Sequence, residues 1–184
     1  MTNLKLTLQA LCITVALSIN LVSAANSNEF KDGPVIFGFG KHAPVDVDMP
    51  LNTQQPIKVA FDVAKQGKND SYNANINSVA RFLNMNVAAG FKPQNLNLAL
   101  VIHGGAGFDI MHNKAYKTKY GVDNPNAKLI RQLLANNVKI YLCGQSAAYM
   151  GIEKQQLYPG IKMALSAMSA HAMLHQQGYH ANPF

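Results

Sequence analysis

VKIYLCGQSAAYMG, Val138 to Gly151, is the stretch on which the reading of this chain turns. Val138 to Cys143 alternates like a strand, and Gln145 to Met150 reads as a short helix closed by Gly151. The strand therefore carries a thiol to its C-terminal end, directly before helix N–H groups that favour an anion. A strand feeding a helix in this way is one unit of a parallel sheet, so the flanking segments are expected to repeat it.

They do. Towards the N-terminus, Asn124-Pro125-Asn126 starts a helix with Leu129, Ile130, Leu133 and Leu134 on one face, and Pro125 suits its first turn. Before it, Met111 to Tyr120 is mixed and holds at most a short helix. Leu96 to Ile102 (LNLALVI) is a nearly continuous apolar strand of the kind buried on both faces, and it runs into His103-Gly104-Gly105-Ala106-Gly107. A helix from Ser71 is marked by Ile76, Val79, Ala80, Leu83 and Val87, and Ile57 to Val63 (IKVAFDV) is a further alternating strand. Towards the C-terminus, Ile161 to Leu165 reads as a fourth strand and Ser169 to Gln177 as the last helix. The whole predicts an α/β domain over 57–184, a small flavodoxin-like parallel sheet flanked by helices.

Residues 25–56 read as an extended arm rich in glycine and proline, holding one short strand at Val35 to Phe39 and packing on the body or on a neighbouring subunit. Residues 1–24 read as a secretory signal peptide: Lys5, an apolar run from Leu6 to Val22, then the small-x-small site Val22-Ser23-Ala24. A retained anchor is the alternative, but Gln9, Thr14, Ser18 and Asn20 interrupt a run shorter than the ~20 apolar residues of a span. The expected location is periplasmic or otherwise exported, without stable membrane insertion once the signal is removed. Cys12 lies inside the apolar run and follows Leu11, so it is no lipidation site.

The chain carries 16 Lys+Arg against 9 Asp+Glu, a net charge of +7. Those charges are spread along the sequence without a basic cluster interleaved with aromatics, so no nucleic-acid partner is expected. With the signal gone Cys143 has no internal disulfide partner, and in an oxidising compartment it is buried and inert, paired between chains, or reactive.

In an open parallel sheet, ligands bind outside the carboxyl ends of the strands. His103 and Cys143 mark two such ends, on strands expected to be neighbours, and a thiol between an imidazole and a helix N-terminus has a lowered pKa. No cofactor is expected. The glycines from Gly104 to Gly107 do not fit G-x-G-x-x-G, because Ile110 stands where the last glycine is needed, and tight turns or close backbone approach explain them better. Gly144-Gln145-Ser146-Ala147-Ala148 ends in alanine where a nucleophile elbow has glycine. His171 and His175, with Met168, have a spacing that can hold a metal, and thioether plus imidazole suit copper in an exported protein. The simpler expectation is a polar histidine face with core methionines opposite it.

His103-Gly104, Asn124-Pro125-Asn126, Cys143-Gly144-Gln145-Ser146-Ala147, Leu165-Ser166-Ala167-Met168 and Gln177-Gly178-Tyr179 together resemble exported members of the DsrE/DsrF-like superfamily, which includes TusD-type sulfur-relay proteins. The resemblance runs from Val35 to the C-terminus and implies a flavodoxin-like subunit that assembles into homotrimers or hexamers. It also implies that Cys143, at the end of the third strand, carries a persulfide. The relay proteins have an apolar, alanine-rich segment after the cysteine, where this chain has Gly144, Gln145 and Ser146. On this reading a sulfane-sulfur donor or another small anion is the partner. Gly144, Gln145 and Ser146 bind it, and His103 supplies a proton or a hydrogen bond. The competing expectation is a non-enzymatic periplasmic binding or assembly module, whose pocket holds a small ligand or a metal and is only lined by Cys143.

Overall fold

The computed structural model describes residues 29–182. The leader expected over 1–24 and the first residues of the arm lie outside the described residues. Five strands form one sheet: β1 (Ile57–Val63), β2 (Leu96–Ile102), β3 (Lys139–Cys143), β4 (Lys162–Ala164) and β5 (His180–Asn182), in the order β4-β3-β2-β1-β5 with every pair parallel. The helices are α1 (Ala74–Ala88), α2 (Asn113–Tyr120), α3 (Ala127–Ala135), α4 (Gly144–Met150) and α5 (Ala167–Gln176). Among the described residues no helix is long and apolar enough to cross a membrane. The flavodoxin-like α/β expectation holds.

Strand alternation divides the core into two unequal parts. Phe61, Val63, Leu98, Leu100, Ile102, Ile140 and Leu142 point to one face, where they pack with Ile76, Val79 and Leu83 of α1 and Leu129, Ile130 and Leu133 of α3. The opposite face presents the small Ala60, Ala99 and Val101, and α5 lies there on Ala170 and Leu174, with Tyr179 beside it. Short side chains let a helix approach a sheet closely, so a single helix covers this face. The path of the chain follows. β1 to β4 advance in one direction with their connecting helices on the first face, then α5 returns across the other face to place β5 beside β1.

Several boundaries differ from those expected. α1 begins at Ala74 because the Asn73 side chain accepts from the N–H groups of Asn75 and Ile76 and caps it there. α5 begins two residues earlier than its periodicity indicated, because Ser166 caps it through Ser169 N–H at 2.9 Å. β5 was not expected at all; a three-residue edge strand carries too little alternation to be read from sequence. The loops below the carboxyl edge are tied together by Asp109, fully buried, whose Oδ2 accepts from Gly67 N–H at 2.8 Å and from Asn73 Nδ2 at 2.7 Å. Burial pushes this carboxyl upward, and the two hydrogen bonds only partly offset it.

Val35 to Phe39 is a succession of bends and turns, not the expected strand. Its backbone groups bond to side chains instead of to a neighbouring strand. The fully buried Asn84 of α1 accepts from Val35 N–H at 3.2 Å and Ile36 N–H at 2.8 Å, and donates to the carbonyls of Ile36, Phe39 and Gly40 at 3.0, 3.0 and 3.2 Å. Gln132 of α3 brackets Phe37 in the same way, donating to its carbonyl and accepting from its N–H. Two glycines permit this closeness. A Cβ on Gly33 would lie 2.0 Å from Asn84 Cγ, and one on Gly40, whose φ is +60°, would lie 2.4 Å from the Ala80 backbone. The arm thus packs on the body and plugs Ile36 and Phe39 into the main core.

Replacing Asn84 by alanine leaves those backbone groups unpartnered and is expected to cost on the order of 3 kcal/mol. The loss is measurable as a lowered urea midpoint, together with faster proteolysis between residues 29 and 56. An unchanged midpoint and an arm as resistant as in wild type would count against this anchoring role.

Candidate functional site

The helices after β3 and β4 leave the sheet in opposite directions: α4 packs its Ala147 into the main core, and α5 crosses the other face. Where neighbouring strands send their connections to opposite sides, a crevice opens at the carboxyl edge. Cys143 stands at that crevice, paired with Ala164 of β4. Its thiol occupies the N-cap position of α4, and Sγ accepts from Ser146 N–H at 3.4 Å. The N–H groups of Gln145 and of Ala167, the first residue of α5, also reach the sulfur, as does the Ser146 hydroxyl. That hydroxyl accepts from Gly104 N–H at 3.0 Å, which leaves its proton free for the thiol.

These contacts decide the ionisation of Cys143. The residue is 5 % exposed, and burial alone would raise its pKa. The Ser146 hydroxyl and the N–H groups of Ser146, Ala167 and Gln145 outweigh burial and hold the thiol below its ordinary value. Two helix N-termini thus hold one anion-forming sulfur. Beside it Gly104, Gln145, Ser146, Tyr149 and Met150 line a shallow hollow of about 240 Å³. Cys143 is the one free cysteine among the described residues.

Gly144 has a steric part rather than a visible donor's part. A Cβ there would lie 2.7 Å from the Ala164 carbonyl oxygen, so glycine is what allows α4 to start against β4. Gln145 donates from its side chain to the Leu165 carbonyl at 3.3 Å and spans the same crevice. The glycines after His103 serve close approach as well: Gly104 has φ +49°, and its Cβ would lie 2.9 Å from the Ala64 carbonyl oxygen.

His103 remains extended and continues the β2 ladder through its N–H to the Val63 carbonyl at 3.0 Å. Alternation then puts it on the α5 face, level with Cys143, since Ile102 and Leu142 are paired. Its Nε2 bonds Asp62 Oδ2 at 2.8 Å, and His171 Nε2 of α5 bonds Asp62 Oδ1 at the same distance. Burial would raise the Asp62 pKa, but the two imidazoles prevail and hold it below the usual carboxylate range. Asp62, His103 and Cys143 thus stand on three adjacent strands, on one face, at the carboxyl edge.

The residues weighed for a metal, His171, His175 and Met168, all lie on α5. His171 is committed to Asp62, and Met168 is 81 % exposed. Among the described residues no three His, Cys, Asp or Glu side chains are placed to share an ion. The methionines expected in the core stand outside it, because α5 packs on the sheet through alanines and Leu174. Sequence reasoning missed two contributors. Asp62 was signalled by an acid at the carboxyl end of an alternating strand; the Ala167 N–H had no signal, since a backbone donor carries no residue preference.

The sequence profile of the DsrE/DsrF-like family matches residues 58–182. Among solved structures, a protein of unknown function from Methanobacterium thermoautotrophicum aligns with a TM-score of 0.51 at 13% identity, over 70% of this chain and 99% of its own. The ychN protein of E. coli aligns with a TM-score of 0.47 at 21% identity, over 70% of this chain and 100% of its own. The first likeness is one of fold. No curated protein matches the chain.

A lowered thiol pKa predicts that the rate of alkylation of Cys143 by a small reagent such as iodoacetamide rises with pH through an inflection below the ~8.5 of a free cysteine. Ser146→Ala removes one donor to the thiolate, so the inflection moves up and the rate at pH 7 falls roughly tenfold. Ser169→Ala, a change within the α5 cap, leaves it in place. An inflection unmoved by Ser146→Ala would refute the cradle.

Proposed function

The chain belongs to the DsrE/DsrF-like family, and on that premise we propose that it is an exported, TusD-like sulfur carrier or sulfurtransferase that holds a persulfide on Cys143. One observation supports this above the rest: a buried thiol at the crevice of the sheet, with its pKa lowered by N–H groups of two helices and a serine hydroxyl. The Cys143 thiolate attacks the sulfane sulfur of a thiosulfate- or persulfide-like donor. A new S–S bond forms, the bond joining that sulfur to the donor breaks, and the donor residue leaves with the electron pair. The hollow beside α4 has room for a small anion, and Ser146 and Gln145 face it. Near-complete burial of Cys143 favours small donors over bulky ones. No cofactor is needed for this exchange. Export rests on the apolar run and the small-x-small site at the N-terminus.

The same reading includes assembly into a homotrimer or hexamer. Tyr149 of α4, Leu165 after β4 and Met168 of α5 are 93 %, 75 % and 81 % exposed, and they surround the crevice. Three large apolar side chains left in water beside a site support covering of this surface by another chain.

Incubated with thiosulfate or a low-molecular-weight persulfide and weighed intact, wild type is expected to gain the mass of one sulfur, removable by a reducing thiol, and Cys143→Ser to gain none. Wild type without the gain, or an equal gain in Cys143→Ser, refutes the carrier. For the assembly, light scattering is expected to give three or six chain masses for wild type and a lower mass for Leu165→Glu combined with Met168→Glu. A monomeric wild type would rule it out.

A further inference from the structure

Asp62 has no part in the sulfur cradle, yet both of its oxygens are occupied by imidazoles contributed from elements far apart in the chain. We propose that Asp62 and His171 are positioning residues that hold His103 as the proton acceptor when sulfur is handed from Cys143 to an acceptor thiol. The inference rests on the carrier reading and deepens it.

The hydrogen-bond pattern determines the tautomer. An ionised carboxylate only accepts, so each Nε2 that meets Asp62 at 2.8 Å must carry the proton. His103 is left with the lone pair on Nδ1, the ring atom that can take a proton. His171 occupies the second oxygen and stops the carboxylate from turning. It stands four residues after Ala167, whose N–H holds the sulfur, so one helical turn of α5 joins the clamp to the cradle. Asp62 from β1 bonds His103 directly, His171 from α5 sits on the other oxygen of that carboxylate, and Cys143 stands level with His103 at the end of β3.

His103 and Cys143 are level on neighbouring strands, whose backbones run about 4.8 Å apart. A persulfide's outer sulfur stands a further ~2 Å beyond Sγ. An acceptor thiol, R–SH, approaching that sulfur gives its proton to His103 Nδ1. The resulting R–S⁻ attacks the outer sulfur, the new S–S bond forms as the Sγ–S bond breaks, and Cys143 leaves as the thiolate that the N–H groups already hold. R–SH, Cys143–S–SH and neutral His103 thus become R–S–SH, Cys143–S⁻ and imidazolium. No outside oxidant or reductant is required.

The test separates loading from hand-over in single turnovers on the full protein, with persulfide on Cys143 followed by intact mass and 2-mercaptoethanol as acceptor. Asp62→Asn is expected to take up one sulfur but to hand it over 10- to 100-fold more slowly than wild type at pH 7. His103→Gln gives the same loss and removes the imidazole step from the pH–rate profile, and Asp62→Glu restores part of the rate. If Asp62→Asn fails to keep the wild-type circular dichroism melt, His103→Gln decides alone. Wild type that takes up no sulfur defeats the carrier reading. Variants that load and hand over at the wild-type rate with an unchanged profile overturn the clamp and leave the carrier standing.

Discussion

The sulfur of Cys143 accepts hydrogen bonds from two helices that leave the sheet on opposite faces, and the arrangement of the C-terminal half depends on that meeting. β3 and β4 must pair in parallel so that their carboxyl ends coincide, and Gly144 must lack a side chain so that α4 can start against the Ala164 carbonyl. α5 must then begin at Ala167, capped by Ser166, for its first N–H to reach back to the thiol. A small neutral side chain would close this crevice without using the donors. A thiolate uses all of them, which is why the site is read as chemistry and not as packing.

The unequal faces of the sheet make the rest of the site. On one side, large aliphatic residues from three strands need α1 and α3 to cover them. On the other, Ala60, Ala99 and Val101 leave a shallow surface that α5 alone can cross. Crossing from β4 to β5 carries His171 over β1, where Asp62 stands, and leaves Met168 and Met173 outside. Of the residues weighed from sequence for a metal, His171 thereby joins a carboxylate and Met168 joins the exposed apolar rim.

On the face covered by α1 and α3, a buried amide does the work that a strand was expected to do. Asn84 matches donors and acceptors along Val35 to Gly40 and seats Ile36 in the core. A residue type that normally avoids the interior is stable there because each of its polar atoms is partnered by main chain. The glycines and prolines of the arm are legible in sequence as irregular chain, but the partner that orders it lies about 50 residues away.

The sequence by itself determined the alternation of strand and helix, the parallel sheet, and the arrival of a single thiol at its carboxyl edge, because these depend on local periods of two and 3.6 residues and on glycine breaks. Those same periods placed His103 and Cys143 on one edge. Tertiary structure alone decided which groups hold the thiol, that His103 turns to Asp62, and that His171 comes from 109 residues away to complete the clamp. These contacts follow from the face on which α5 crosses and from backbone N–H groups that every residue carries. No local pattern encodes either, so folding had to bring them together before they could be seen.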